Sequence, residues 1–570
     1  EIKLIGRENQ QTNHVFIDLE SVKKDTEYEL FFLRKEDGTR FFSPRLIRNV
    51  KLVSDFEGYL REGNTEDPLF NIIGMPDKEA LFHAREIIHS TKEFINRFVQ
   101  ISVHTTDQEL VRKLNCSLMG LMMASNSANL SHRMPVKNCR DYFYDFLIFF
   151  RKCVSSTEYQ KIVTATPEEF NKLESCTIKL IHSLSTAIYT QLSGSNELGE
   201  LVHGLIQQAN DQVAKDHKHA TTSSKTIYGQ LAGEYAALTK LMKQHPNGPL
   251  NKVLTALEDG KHRGFDTLLQ DNLPSVMYAL YIQDSKCLIA RWPCPTHQEL
   301  INKACVNEEF KAFLRSCGHE NVMDRCLLFN FQDRLTWKEH FRCTALEDLS
   351  NHPSFKNHLA TVTLAKDTEF YHQDSPYSQE NRADVFIKNF KEQLTDQNCG
   401  FVIPPKIFKE LSDSFINPAM EAIHRIFFSG KNVLLKENRM EFIEIFYIFL
   451  QLKIIDCVRP NIVGFSCKDG LDISLSAGAE LFIFLKLCSQ EQLSEHDREH
   501  LDVMLYGPCL VGRERIIMPD RFDRMLKTIK VIEIVRAQYG REGFCKIIQE
   551  AFGLLYKSPV LSGKIAGYKT

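Results

Sequence analysis

The sequence predicts a mainly helical α+β protein, and three observations carry that expectation. Apolar residues recur at helical spacing through 76–270. Alternating, β-branched segments return after Pro274. Near the C-terminal end, "PNIVGFSCKDGLDISLSAGAELFIFLKLC", Pro460 to Cys488, reads as strand, tight loop and helix. A chain of 570 residues has room for about two to four domains. The pattern divides it into a small β region at 1–65, a helical bundle at 66–272 and an α/β region with C-terminal helices at 273–570.

The first sixty residues alternate. "HVFIDLE", "YELFFLRK" and "TRFFSPRLI" have strand character, and "KEDGT" (Lys35 to Thr39) supplies a hairpin turn, because Asp-Gly tolerates positive φ. Pro44 puts the third of these at a sheet edge. From Pro76 the period changes: Leu81, Ala84, Ile87, Ile88, Phe94, Ile95 and Phe98 share a helical stripe, and Pro76, Asp77 and Glu79 suit a first turn. Further helices are expected over 107–125, 138–153, 167–193, 195–215, 223–244 and 250–259, with the polar "KDHKHATTSSK" as a loop among them. "SVMYALYIQDSKCLIARW" predicts a hairpin turning at Asp284-Ser285, "DRCLLFNFQDRLTW" a strand, and "HLATVTLAKDTEFY" (His358 to Tyr371) another. Helices then follow at 380–396, 405–428, 437–454, 475–489, 495–505, 519–538 and 541–556. The stripe "FIEIFYIFLQLKII" is apolar nearly all round, which marks a central buried helix.

Composition narrows the function class. Hydrophobic content of 43% and charged content of 25% belong to a globular chain. A net charge of -3 argues against a basic nucleic-acid binder. The 16 cysteines show no dense framework, as expected of reduced thiols in a cytoplasmic protein. The densest apolar run, Tyr142 to Phe150, is too short to cross a bilayer as a helix. The opening residues carry no signal-peptide pattern. Cysteines and histidines between Cys287 and Cys343 include Cys294/His297 and Cys317/His319, but the pairs lack matching partners, so no metal and no cofactor is expected.

The loop at Cys467 carries the chemistry. A phosphate dianion wants inward-pointing backbone N–H groups, which a tight loop ahead of a helix supplies. A thiolate there has its pKa lowered and can attack phosphorus, while a bidentate guanidinium holds the non-bridging oxygens. Gly470 can provide the unusual φ, and Ser474 can cap the helix and bond the thiolate. The run "CKDGLDIS" resembles the Cys-Lys-x-Gly-x-Asp-Arg-Thr loop of the secreted bacterial phosphoinositide and inositol-polyphosphate phosphatases. Cys467, Lys468, Gly470 and Asp472 fall on matching positions, Ser474 stands where Thr is expected, and Ile473 replaces the arginine.

That resemblance implies a cysteine-phosphatase-like α/β domain within 273–570, acting on phosphoinositides or inositol phosphates. Cys467 would be the nucleophile, and Lys468, Gly470, Asp472 and Ser474 would hold substrate or shape the loop. It also implies an effector-like protein, cytoplasmic or delivered into a host cell's cytosol. Losing the arginine predicts reduced or absent turnover, since removing one oxyanion donor already costs ~10²–10³ in rate. A general acid is also needed. Asp367 and Asp374, in the loop after "ATVTL", are the candidates. Twelve Lys and Arg against six Asp and Glu from Leu505 to Thr570 make Arg513 and Arg515 candidate phosphate ligands and that face a candidate for an anionic membrane surface. For the cluster of Arg513, Arg515, Arg521 and Arg524 the plainer expectation is a solvated helix face with Asp520 and Asp523 as partners. Two rival readings stay open. One is an interaction protein that meets a protein partner through its helical region. The other is a cysteine-dependent acyl or isopeptide enzyme with His424, His496 or His500 as base.

Overall fold

The structure, a computed structural model, describes residues 33–34, 40–41 and 70–567, apart from 104–107, 131–136, 166–169, 193, 217–225, 245–265, 270–271, 301, 318–324 and 490–492. The expected strands "HVFIDLE" and "FSPRLI" and the helix at 250–259 therefore lie outside the described residues. Two short strands, β1 (Leu33–Arg34) and β2 (Arg40–Phe41), pair antiparallel on either side of the expected turn.

Among the described residues seven α-helices follow: α1 (Phe70–Ser102), α2 (Glu109–Ala124), α3 (Cys139–Val154), α4 (Thr157–Thr164), α5 (Lys172–Tyr189), α6 (Asn196–Asp216) and α7 (Ile227–Gln244). The helix expected to begin at Pro76 starts at Phe70 and carries that proline inside it. Its early turn is held by Ile72 and Met75, each 2% exposed. Side-chain caps start several helices where the sequence offers Asn or Ser. Asn138 and Asp141 form one reciprocal box, and Asn171 and Glu174 another.

The second half contains β3 (Ser275–Ile282), β4 (Ser285–Pro293), β5 (Thr296–Leu300), β6 (Lys303–Val306), α8 (Glu308–Ser316), β7 (Cys326–Asn330), α9 (Trp337–Asn351) and β8 (Leu359–Thr363). After it come the one-turn α10 (Glu369–His372), α11 (Ala383–Thr395), α12 (Pro405–Ser414), α13 (Ile416–Phe428), α14 (Lys436–Val458), β9 (Ile462–Cys467), α15 (Ile473–Cys488), α16 (Glu495–Arg513), α17 (Pro519–Phe552) and β10 (Lys564–Gly567). The strand expected within His358 to Tyr371, "ATVTL", is β8 at Leu359–Thr363, and the rest of that segment leads into α10. The helix expected over 405–428 breaks at Phe415. The two expected C-terminal helices run together across Gly540, whose φ of 72° breaks the helical geometry.

A six-stranded sheet organises this half, in the order β10-β3-β4-β9-β7-β8. β4, β9, β7 and β8 are parallel; β3 and β10 add an antiparallel edge. β9 lies at the centre with all six residues buried, as a parallel strand covered on both faces should be. Gly464 is required there. A Cβ at that position would meet Trp292 at 2.0 Å, so the glycine lets the indole of β4 lie across the strand.

Each face of the sheet has its own core. One packs Trp292, Ala290 and Leu328 against Tyr189, Phe146, Phe310 and Phe313 from α3, α5 and α8. The other packs Val463 and Phe465 against α14, α15 and α17, together with Leu205 and Leu238 from α6 and α7. Both cores draw residues from either side of position 272. Helix α14 is buried on all sides from Phe442 to Asp456, as its continuous hydrophobicity predicts.

Where α7 meets α16, two buried carboxyls face each other. Burial, and then its neighbour Glu234, push Asp502 up to about 8; Glu234 is raised as well, first by burial. The folded protein thus holds a proton that the unfolded chain releases. Stability is full below about pH 4 and falls as pH rises toward about 8, by about 1.4 kcal/mol per unit. Asp502→Asn is expected to flatten this slope and to stabilise the protein at pH 7, read from urea midpoints at pH 5, 7 and 8.5. An unchanged slope would show that the pair is not protonated in the fold.

Candidate functional site

Helix α15, which follows β9, packs in the core on one face of the sheet, and α9, which follows the neighbouring β7, contributes Leu346 and Leu349 to the core on the other. Chain connections diverge there, and the crevice beyond the carboxyl ends of such strands is where open α/β sheets place ligands. Three connections meet at this end: the Cys467–Asp472 loop after β9, Phe331–Thr336 after β7, and Leu364–Thr368 after β8.

The β9–α15 loop is closed on itself. Gly470 N donates to Cys467 O at 3.2 Å and Ser474 N to Leu471 O at 3.0 Å. Cys467 is 7% exposed, and its Sγ donates to Leu471 O at 3.0 Å. A nucleophilic thiolate needs several N–H groups aimed at it; this thiol has Ser474 as its donor and gives its own proton to a carbonyl oxygen. Burial pushes it up to about 12, with Ser474 pulling the other way and Asp472 and Asp469 adding to the rise. Ile473 opens α15 half-buried against the core, in the place expected of the arginine.

The cations expected to meet phosphate are engaged by the loop's own acids. Arg515 forms two parallel bonds to Asp472, each 2.9 Å, and Met518 N donates to the same carboxylate at 2.9 Å. Arg513 pairs with Asp469 at 2.8 Å. Asp472 is thereby held at φ 40°, ψ -83°, a conformation few L residues adopt. Gly470 has φ 63° and lies against the backbone of Trp292 and Pro293. Asn272 ties the loop from below through Asp469 O at 2.5 Å, and Cys294 N donates to Lys468 O at 3.2 Å. The loop is a joint between β4, α16 and the start of α17.

The expected general acids are both ion-paired. Asp367 meets Arg521 at 2.5 Å and His372 at 2.8 Å; against the opposing effect of burial, these partners hold its carboxyl below the usual range. Asp374 is exposed and paired with Lys436 at 2.8 Å, which lowers it too. A group held ionised is a poor proton donor at neutral pH. Nor does α17 pair its arginines within itself. Arg521 reaches Asp367 and Arg524 reaches Glu444, while Asp523 takes Lys527. Of the histidines considered as bases, His424 Nε2 lies 2.8 Å from Lys431 O and His500 Nε2 lies 2.7 Å from Met277 O.

Two carboxyls that the sequence reading passed over do have raised pKa values. Asp333, just after β7, is raised by burial and by Asp367 nearby. Glu339, on α9, accepts from Asp333 N at 2.7 Å; burial raises it, while Arg342 and Lys468 act the other way. Asp367 acts on both carboxyls and Lys468 on Glu339, so these charges lie within electrostatic reach of one another beyond the carboxyl ends of β7, β8 and β9. The signal was available: "FNFQDR" places an acid just past a strand, as "TLAKD" does. Among the described residues no cluster of His, Cys, Asp and Glu is placed to hold a metal ion, and no helix is long and apolar enough to cross a membrane.

No family model, no curated protein and no solved structure matches this chain.

Proposed function

We propose that this chain is a phosphatase-like effector that has lost turnover and acts by binding, with inositol phosphate headgroups, free or on a phosphoinositide membrane, as the ligand class its loop resembles. The observation that carries the loss of turnover is the Cys467 Sγ bond to Leu471 O inside a loop whose arginines are held by its own aspartates. Restoring a thiolate there requires opening the loop, breaking the Arg515–Asp472 fork and ionising a thiol held near 12. Replacing Ile473 by arginine alone removes none of these obstacles. The ligand class rests on the loop resemblance and on Lys468 at the crevice, next to Glu339.

The test is phosphate release from a panel of phosphoinositides and soluble inositol phosphates, wild type beside Cys467→Ser. Release by the wild type is expected to equal that by the variant. Alkylation of Cys467 is expected to lag far behind that of the exposed Cys116, because only thiolates react and this thiol is buried. Release that disappears with Cys467→Ser would establish an active phosphatase and overturn the proposal.

A second reading, a helical interaction protein, has its own observation. Val99 on α1, Val103 just past its end, and Met119 and Met122 on α2 are exposed apolar side chains, Met119 at 60% and Val103 at 59%. It shares with the first reading the absence of catalysis at Cys467.

A further inference from the structure

Two buried arginines bond only neutral acceptors, and they differ in one respect. Arg439 is fully buried and uses all five of its N–H groups: on Gln373, Asn381, Leu434 O, Tyr377 O and Ser378 O, at 2.7 to 3.3 Å. It is a complete structural staple. Arg291, on β4, is 4% exposed and makes three bonds: Nε to Ser275 Oγ at 3.2 Å, Nη1 to Asn272 Oδ1 at 2.6 Å, and Nη2 to Leu273 O. One N–H on each terminal nitrogen is left over. Burial drives its pKa down to about 10, the cost of holding a charge without a counter-ion.

Arg291 also lines a cavity. The cavity lies between α1, α3, residues 268–269 and 272–275, and α16, and encloses about 690 Å³, its solvent-facing mouth included. About 60 Å³ of that admits the centre of a water molecule, room for about four or five waters. Its walls are mostly apolar, with Phe143, Leu147, Leu198, Leu268 and Val511 among them. Glu79 is the acid in the lining, and it is occupied: Ser195 N and Oγ donate to it and His83 lies 3.5 Å away. Arg140 adds a second cation to the wall. Asp469, a loop carboxylate whose charge acts on the guanidinium, is paired with Arg513.

We propose that this cavity binds a small organic carboxylate, its carboxyl group forked on the two remaining N–H groups of Arg291 and its short apolar body against Leu198, Leu268 and Val511. The two donors belong to the terminal nitrogens of one planar guanidinium, a group suited to bidentate recognition of a planar carboxylate. Glu79 in the same lining disfavours a second negative charge, so a monoanion fits and a phosphate dianion does not. The site backs onto the Cys467 loop. Asn272 accepts from Arg291 and donates to Asp469 O, so an occupant is one side chain away from the loop backbone.

The full chain is titrated with sodium butyrate and, separately, with butyramide, its neutral isostere, while the thermal midpoint is followed. A saturable rise with butyrate and none with butyramide is expected. Arg291→Gln is expected to weaken the response at least about tenfold. Because that variant also removes bonds to the 272–275 segment, Leu269→Trp provides a second check: it fills the cavity, leaves Arg291 in place, and is expected to abolish the response with the far-UV circular dichroism unchanged. No rise with butyrate, an equal rise with butyramide, or a butyrate response that survives Leu269→Trp in a folded protein would each overturn the proposal.

Discussion

Glu444→Leu is expected to destabilise the protein by about 3–5 kcal/mol, seen as a lower urea midpoint at pH 7. Glu444, on α14, is 1% exposed and anchors a buried ionic group. Lys366 Nζ lies 2.8 Å from it, Arg524 Nε 3.3 Å, and the Tyr371 hydroxyl donates to it. Burial alone would raise the carboxyl; Lys366, Arg524 and the tyrosine outweigh it and hold Glu444 ionised. Removing that charge strands two buried cations. The neighbouring Glu480 holds the lysine less closely: it lies 3.7 Å from Lys366, beyond hydrogen-bonding distance, and burial and then Glu444 push it up to about 8; with Glu444 gone, burial still opposes its charge. At neutral pH Glu480 is mostly protonated, so its contact with the lysine is not an ion pair. Glu480→Gln is therefore expected to act in the opposite direction. A raised carboxyl gives stability that is full below about pH 4.5 and lost as pH rises toward 8; glutamine does not lose it. The variant should gain on the order of 1–3 kcal/mol at pH 7 relative to wild type, and the gain should shrink toward pH 4.5. Equal destabilisation by both substitutions would show that Glu480, too, is charged in the fold.

Helices were legible wherever a pattern local to the chain decided the outcome. α14 is hydrophobic all round because it is buried all round, and the Asn and Ser caps sit where the helical period begins. The β9–loop–α15 unit was legible for the same reason: an apolar run, a glycine, and a second apolar run at helical spacing. Other boundaries were set by contacts that no window contains. α1 extends back past Pro76 because Ile72 and Met75 find a buried surface there. α16 continues through Pro508, where the sequence suggested a stop near 505, because Cys509 and Leu510 are fully packed. The site shows the same division. Cys467 and its glycine could be read as a loop with chemistry, but what that loop does depends on partners 43 to 46 residues on, at Arg515 and Met518, and on β4 lying beside β9 across about 170 residues. Charge counting from Leu505 onward saw cations available to phosphate; folding spends them on Asp469, Asp472, Asp367 and Glu444.

Gly470→Ala separates the two meanings that glycine can have in this loop. In a working phosphate loop it would matter for ligand binding and turnover; here its first role is to let two backbones touch. A Cβ on Gly470 would stand 2.6 Å from Pro293 N and 2.8 Å from the Trp292 carbonyl carbon, both main-chain atoms that no side-chain rotation can clear. Its φ of 63° adds the ordinary cost of an L residue in the left-handed region, about 1–2 kcal/mol. Together these predict a loss of about 2–5 kcal/mol. Gly430 is the internal control. It has the same φ of 63°, yet a Cβ there would meet nothing within 4 Å, so Gly430→Ala should show the backbone cost by itself. The difference between the two urea midpoints then measures the close approach of the loop to β4. A difference near zero would mean that the loop stands off from that strand, leaving room for the phosphate cradle that the closed loop now excludes. A large difference would mean that Cys467 is enclosed by the packing of β9 on β4, and that no substitution at position 473 alone can open the loop around it.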